Sequence, residues 1–257
     1  MCFAFDARPP ELPADLARPR IAGGAGAELL ELTSADGTAF SAALAEAAEP
    51  SGRAVVILPD VRGLYQFYSE LAERFAQAGH HAIALDYFGR TAGLGPRDEA
   101  FDYMPHVRQT RPEGVQADAT AALAALRERT GATSAATVGF CFGGTQSFLA
   151  STNPALDLDG AVGFYGSVNP ERWGDQGPIA RAGDMHGPLL GLYGGADEGI
   201  PPDQLEAFEQ ALAAAGVDHE IVVYPGAPHS FFDRRFEEHA DACGDAWRRV
   251  LGFLQRA

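Results

Sequence analysis

The chain has 257 residues, of which 46% are hydrophobic, and its formal net charge is −16 at pH 7. This length and apolar content suit one α/β domain with a large buried core. The negative charge argues against nucleic acid and anionic membrane surfaces as partners. No apolar run reaches the roughly 20 residues that span a bilayer, and no secretory signal pattern opens the chain. A cytoplasmic location is therefore expected.

The predicted elements begin after residues 1–26, which are rich in Pro, Ala and Gly and predict an extended arm over the surface. One α/β domain is predicted over 27–257. Its first two strands form a predicted antiparallel hairpin around the Asp-Gly turn at 36–37. Predicted strands cover 28–33, 40–45, 54–58, 81–85, a run that ends at 139, 160–165, 189–193 and 221–224. Predicted helices cover 66–78, 113–130, 143–151, 202–215 and 234–255.

Strands that alternate with helices predict a mainly parallel sheet covered on both faces. Binding sites in such sheets lie beyond the carboxyl ends of the strands. The segment 86–112 shows little periodicity and holds several Gly and Pro residues. An irregular stretch of this length is usually functional. Its candidate pocket-wall residues, which could equally be exposed, are Phe101, Tyr103, Met104 and His106.

Three cysteines are present, Cys2, Cys141 and Cys243, with no short spacing between them. An odd number at this spacing predicts neither a disulfide framework nor a zinc site. Each cysteine can be a reactive thiol or a small buried hydrophobe. No metal and no cofactor is expected.

The sequence around Cys141 separates it from the other two cysteines. Residues 138–144 read Val-Gly-Phe-Cys-Phe-Gly-Gly, which fits the pattern G-x-C-x-G between a strand and a helix. A nucleophile at this tight turn needs tiny neighbours on either side, and Gly139 and Gly143 meet that need. The helix that follows favours a thiolate and an oxyanion at its N-terminal end. The sequence therefore predicts that Cys141 is a nucleophile, with a buried core cysteine as the alternative.

Two further strand ends carry a candidate acid and a candidate base. Asp197 follows the strand at 189–193, and His229 lies in a Pro- and Gly-containing loop after the last strand. Asp197 could instead cap a turn, with Glu198 as the alternative acid, and His106 is the alternative to His229 as the base. The order Cys141, Asp197, His229 is that of the α/β-hydrolase triad, in which the carboxylate orients the imidazole.

Several separated motifs of the chain are typical of one family. The chain resembles the dienelactone hydrolase (carboxymethylenebutenolidase) family over about residues 28–255. The resemblance implies an α/β-hydrolase fold and cysteine-dependent hydrolysis of a small ester or lactone through a thioester, without a cofactor. The motifs are Leu-Pro-Asp-Val-Arg-Gly (58–63), Asp-Tyr-Phe-Gly-Arg (86–90), Gly-Phe-Cys-Phe-Gly-Gly (139–144), Val-Gly-Phe-Tyr-Gly (162–166), Gly-Gly-Ala-Asp (194–197) and His-Ser-Phe-Phe (229–232).

The resemblance also implies roles for five further residues. The backbone N–H groups of Phe142 and Val61 match the oxyanion hole, which binds the tetrahedral intermediate. Arg90 matches an arginine that binds a substrate carboxylate. Tyr165 and Ser230 match positions in the substrate pocket.

Two positions depart from the family pattern. Asp60 stands where the family has a glutamate that pairs with the resting thiol. Asp233 stands where the family has a second carboxylate-binding arginine, and Arg62 and Arg234 are the nearby candidates to replace it.

Two other functions stay open at this stage. One is a broad carboxylesterase that acts on small neutral activated esters. The other is a non-catalytic or redox-sensing protein on the same fold, with Cys141 as an oxidisable thiol. The chain is expected to be a monomer or a homodimer.

Overall fold

The computed structural model describes residues 6–16, 26–233 and 236–255. Within these ranges the chain forms eight strands, which match the predicted positions to within a few residues. They are β1 (Glu28–Thr33), β2 (Ala39–Ala45), β3 (Ala54–Leu58), β4 (Ala82–Leu85), β5 (Ala135–Phe140), β6 (Ala161–Phe164), β7 (Leu189–Gly194) and β8 (His219–Tyr224).

The strands form one sheet in the order β1-β2-β4-β3-β5-β6-β7-β8. β1 pairs antiparallel with β2, and β2 pairs antiparallel with β4. All pairs from β4 to β8 are parallel, for example Leu58 of β3 beside Gly139 of β5. The predicted hairpin and the mainly parallel sheet are confirmed. The carboxyl ends of six parallel strands therefore meet along one edge of the sheet.

The helices are α1 (Gln66–Gln77), α2 (Gly89–Ala92), α3 (Met104–Gln109), α4 (Pro112–Thr130), α5 (Phe142–Ala150), α6 (Pro170–Trp173), α7 (Pro202–Ala215) and α8 (Ala240–Gln255). α2 and α3 correct the prediction that 86–112 is irregular throughout. The predicted helix over 234–255 begins only at Ala240, after a 3-10 turn at Glu237–His239. None of the described helices is long and apolar enough to cross a membrane.

The sheet is buried on both of its faces. In β3, Val55 and Ile57 belong to a core formed with α1, α7 and α8, whereas Val56 and Leu58 belong to a second core formed with α4. Side chains that alternate between two buried faces make the strand apolar throughout. This explains why the central strands appear in the sequence as short continuous apolar runs.

The N-terminal segment 6–16 contains no helix or strand, but it is firmly packed. Ala7 is fully buried within the core on the α1 and α8 side. The Trp247 indole N–H donates to the Pro10 carbonyl at 3.2 Å, and Arg74 pairs with Glu11 at 2.7 Å. This part of the predicted arm is therefore part of the core boundary, and the rest of it, with Cys2, lies outside the described residues.

Candidate active site

The turn between β5 and α5 holds Cys141 in an unusual backbone conformation. Its φ is 54° and its ψ is −113°, which a non-glycine residue rarely adopts. A Cβ at Gly139 would lie 1.9 Å from the Gly143 carbonyl oxygen, and a Cβ at Gly143 would lie 2.0 Å from the Leu58 carbonyl oxygen. Only glycine permits this close approach of three backbone segments. The glycine pattern therefore predicted the geometry for the correct steric reason.

The backbone of Cys141 is fixed by its neighbours. Its N–H donates to the Phe164 carbonyl at 3.0 Å, and its own carbonyl accepts from Gly144 at 3.0 Å and Thr145 at 3.2 Å. Strained conformations persist where the surroundings hold them in this way. The half-buried Cys141 side chain stands at the N-terminal end of α5, where the helix favours negative charge.

Asp197 and His229 come together from the ends of β7 and β8. The Asp197 carboxylate lies 2.5 Å from Nδ1 of His229, and it also accepts the Gly199 N–H at 3.0 Å. Burial opposes ionisation of Asp197, but the hydrogen bond and the charge of His229 hold its pKa below its ordinary value. An ionised carboxylate at this distance fixes the orientation of the imidazole.

The rival candidates for these two roles lie in other surroundings. Glu198 is exposed next to the buried Asp197. The His106 ring stacks on Phe101 with 5.1 Å between centroids and lies 6.0 Å from the Phe88 ring. His106 therefore belongs to an aromatic cluster in the 86–112 segment, where Phe101 and Tyr103 pack on the second core and Met104 is exposed.

Tyr165 is a neighbour of both Cys141 and His229. Its ring centroid lies 4.9 Å from that of His229, and its N–H donates to the Leu192 carbonyl at 2.8 Å. Burial and, after it, negative charge on the nearby Cys141 sulfur raise the pKa of Tyr165 well above its ordinary value. Both Tyr165 (φ 37°) and Ser230 (φ 59°) are buried and have left-handed backbone. The two predicted pocket residues thus occupy constrained positions at the strand ends.

The N–H groups of Val61 and Phe142 lie at the ends of neighbouring strands. Val61 follows β3, and Phe142 is the first residue of α5, directly after β5. Within the described part of the chain, neither N–H donates a hydrogen bond. Two such donors at one sheet edge fit the predicted oxyanion hole.

Asp60 is paired with Arg62 in the interior of the protein. The Asp60 carboxylate is fully buried and accepts from the Arg62 backbone N–H at 2.9 Å and from its guanidinium at 2.8 Å. The guanidinium carbon of Arg62 also lies 4.1 Å from the Tyr65 ring centroid. Desolvation opposes the charge of Arg62, yet Asp60 raises the pKa of Arg62 above its ordinary value. Asp60, the predicted partner of the Cys141 thiol, is therefore bound to Arg62, a candidate substrate anchor.

The structure places Arg90, the predicted substrate anchor, in an ion-pair cluster. Its guanidinium pairs with Asp118 at 2.8 Å and with Asp36, and it donates to Thr38 at 3.2 Å and to the Gly114 carbonyl at 3.2 Å. These partners belong to α4 and the β1–β2 hairpin. Binding of a substrate carboxylate by Arg90 stays a prediction.

The second departure from the family pattern lies in the interior. Asp233 is fully buried, and its carboxylate accepts the Arg8 backbone N–H at 3.4 Å. Arg234, the neighbouring candidate anchor, lies outside the described residues. Across those residues, no group of three or more His, Cys, Asp or Glu side chains could hold a metal ion.

Replacing Arg90 with glutamine should destabilise the protein and leave substrate affinity almost unchanged. Asp118 is fully buried and would lose its cation, which costs about 1–3 kcal/mol after allowance for the partly exposed guanidinium. Urea unfolding would measure this loss, and adding Asp118→Asn should recover part of it. The KM for an anionic ester should change less than about threefold. A tenfold or larger rise in KM at unchanged stability would assign Arg90 to the substrate.

Sequence reasoning missed two aromatic residues beside the predicted oxyanion hole. The Tyr87 hydroxyl reaches the Pro59 carbonyl at 2.7 Å and also the Asp60 carbonyl. The Trp173 ring lies 6.0 Å from the Phe142 ring. Tyr87 lies two residues after β4 and within the motif at 86–90, but the sequence cannot show which carbonyl its hydroxyl reaches.

The sheet order, with the sharp turn at Cys141 between β5 and α5, defines an α/β-hydrolase. The chain belongs to the dienelactone hydrolase family, whose model matches residues 40–257. It is accordingly an enzyme of the carboxylic ester hydrolase class. The predicted fold, enzyme class and family resemblance are confirmed.

Relatives and solved structures agree with this assignment. A Yersinia pestis protein provisionally named carboxymethylenebutenolidase is 33% identical over 78% of this chain and 76% of its own length. An Escherichia coli K12 protein with the same provisional name is 32% identical over 79% of this chain and 76% of its own. The crystal structure of a provisionally named dienelactone hydrolase from Klebsiella pneumoniae has a TM-score of 0.78 and 30% identity, covering 90% of this chain and all of that one.

Proposed function

We propose that the chain hydrolyses carboxylic esters or lactones through a thioester on Cys141, with His229 as base and Asp197 as its orienting carboxylate. The strongest support is the 2.5 Å contact between Asp197 and His229 at the ends of two strands, combined with the strained backbone of Cys141 at the end of a third strand of the same sheet. Strain of this kind is concentrated at functional sites.

The first half of the reaction forms the acyl-enzyme. His229 accepts the Cys141 thiol proton, and the thiolate attacks the carbonyl carbon. The N–H groups of Val61 and Phe142 stabilise the negative oxygen that develops. The C–O bond then breaks, and the leaving oxygen takes the proton from His229.

The second half of the reaction hydrolyses the thioester and regenerates the free enzyme. A water molecule gives a proton to His229 as its oxygen attacks the thioester carbonyl carbon. The C–S bond breaks, the carboxylic acid leaves, and the thiolate regains its proton from His229. When the alkoxide is a poor leaving group, the tetrahedral intermediate collapses by expelling the thiolate and returns to the ester. Activated esters and enol lactones are therefore the favoured substrates.

A second candidate is hydrolysis of small neutral activated esters in preference to anionic lactones. It is supported by the arginines around the strand ends. Arg62 and Arg90 each pair with a fully buried carboxylate, and Asp233 stands in place of the second family arginine. Among the described residues, neither predicted anchor is available as an unpaired cation.

A redox-sensing role has less support, because it needs a second reactive thiol near Cys141. Burial raises the pKa of Cys243 to about 12, and its thiol donates to the Phe231 carbonyl at 3.4 Å. A cysteine in this state is a poor resolving thiol. Cys2 lies outside the described residues.

Acyl-enzyme trapping tests the proposed function directly. We expect p-nitrophenyl acetate to give a burst of p-nitrophenolate and to add one acetyl group to the Cys141 peptide, as read by mass spectrometry after acid quenching. A steady release of product with no acetylated Cys141 would contradict the thioester. Comparing kcat/KM for a dienelactone carboxylate and its methyl ester then separates the two candidate substrate classes.

A further inference from the structure

Tyr87 has a buried hydroxyl that reaches the loop of the proposed oxyanion hole. The residue follows β4 and is 1% exposed. Its hydroxyl lies 2.7 Å from the Pro59 carbonyl oxygen and is also within hydrogen-bond distance of the Asp60 carbonyl oxygen. We infer that Tyr87 is a positioning residue that orients the Val61 N–H toward the oxyanion. This inference rests on the proposed function.

The argument depends on the peptide unit that joins Asp60 to Val61. A peptide unit is planar and trans, so its C=O and its N–H point in opposite directions. A hydroxyl that binds the Asp60 carbonyl from one side therefore fixes the direction of the Val61 N–H on the other. The same bond polarises the unit and makes the N–H a stronger donor.

The preceding peptide unit is held in the same way. The Tyr87 hydroxyl contacts its carbonyl at Pro59, and its N–H at Asp60 donates to the Tyr68 hydroxyl at 2.8 Å. The side chain of Asp60 also accepts the Arg62 N–H at 2.9 Å. The loop is thus held on both sides of Val61. Tyr87 contacts the carbonyls of Pro59 and Asp60, which set the orientation of the Val61 N–H.

Tyr87 also contacts the residue that carries the other proposed donor. The Tyr87 and Phe142 rings lie 5.3 Å apart between centroids, with 53° between their planes. One side chain therefore touches the loop after β3 and the first residue of α5. The spacing between the two oxyanion donors depends on this contact.

Tyr87→Phe keeps the ring and removes the hydroxyl, which makes it the test. We expect the rate constant for Cys141 acylation by p-nitrophenyl acetate to fall about tenfold, with little change in the dissociation constant of the noncovalent complex. Misplacing one oxyanion donor should cost less than losing it, and loss costs about 10²–10³-fold. Alkylation of Cys141 by iodoacetamide should keep its wild-type rate, because attack on a saturated carbon forms no oxyanion. A merely structural loss would slow both reactions together.

Tyr224→Phe is the matched control. It removes another buried tyrosine hydroxyl, which donates to Asp245 at 2.9 Å. Its acylation and alkylation rates should both equal those of the wild type. The inference is overturned if Tyr87→Phe acylates at the wild-type rate, or if its acylation and alkylation fall equally. Wild-type protein whose Cys141 is never acylated would overturn the proposed function itself.

Discussion

Replacement of Cys141 with alanine should lower the hydrolysis of activated esters by about 10³–10⁵-fold. Only the weak contribution of oxyanion donors and substrate binding would remain, because alanine has no nucleophilic atom. The fold should persist, since alanine can occupy the same turn (φ 54°) at a similar conformational cost. Steady-state hydrolysis of p-nitrophenyl acetate and thermal unfolding would measure the two effects separately.

Cys243→Ala is the matched control for this prediction. Cys243 lies in α8, is 4% exposed and packs into the core. Its replacement should cost about 1 kcal/mol of stability through lost packing and leave kcat unchanged. Cys141→Ala protein that retains wild-type hydrolysis would refute the assignment of Cys141 as nucleophile.

Replacement of Gly143 with alanine should have the largest effect on the fold. The new Cβ would lie 2.0 Å from the Leu58 carbonyl oxygen and 2.3 Å from the Pro59 carbonyl oxygen. Both are backbone atoms at the end of β3, so neither can rotate away as a flexible side chain could. We expect a loss of about 4 kcal/mol or more in the free energy of unfolding, together with loss of hydrolysis.

Gly252→Ala makes the same chemical change where there is room for it. Apart from the backbone of its own helix and its chain neighbours, no heavy atom of the described residues lies within 4 Å of a Cβ built at Gly252, which sits inside α8. Alanine should stabilise this helix by up to about 1 kcal/mol. Chemical denaturation of both variants measures the contrast, and a Gly143→Ala protein with wild-type stability would disprove the close-approach argument.

The sequence predicted those parts of the site that depend on local patterns. Gly139 reflects a steric demand inside the motif, since a Cβ there would meet the Gly143 backbone. Gly143 belongs to the same local pattern, although the atoms that a Cβ there would meet lie in Leu58 and Pro59. The apolar runs locate the strand ends that carry Asp197 and His229. The parallel sheet then brings those ends to one edge. This is why the sequence alone predicts the fold and the order of Cys141, Asp197 and His229 along the chain.

Other parts could not be predicted, because they depend on contacts between distant residues. Arg90 meets Asp118 across 28 positions and Asp36 across 54, and nothing in its local sequence indicates either carboxylate. α3 has only six residues, fewer than two helical turns, so the sequence of the segment 86–112 shows no repeated helical period there.

The order of the strands has a consequence for the newly made chain. During synthesis Val61 leaves the ribosome first, Cys141 follows, and Asp197 and His229 emerge last. Parallel strands pair only through long crossovers, so β7 and β8 join the sheet after most of the polypeptide exists. Until then the proposed base, His229, has not reached the sheet edge that carries Cys141. We therefore expect completion of the site to be a late event in folding. The appearance of esterase activity should report the formation of native protein more accurately than compaction of the chain does.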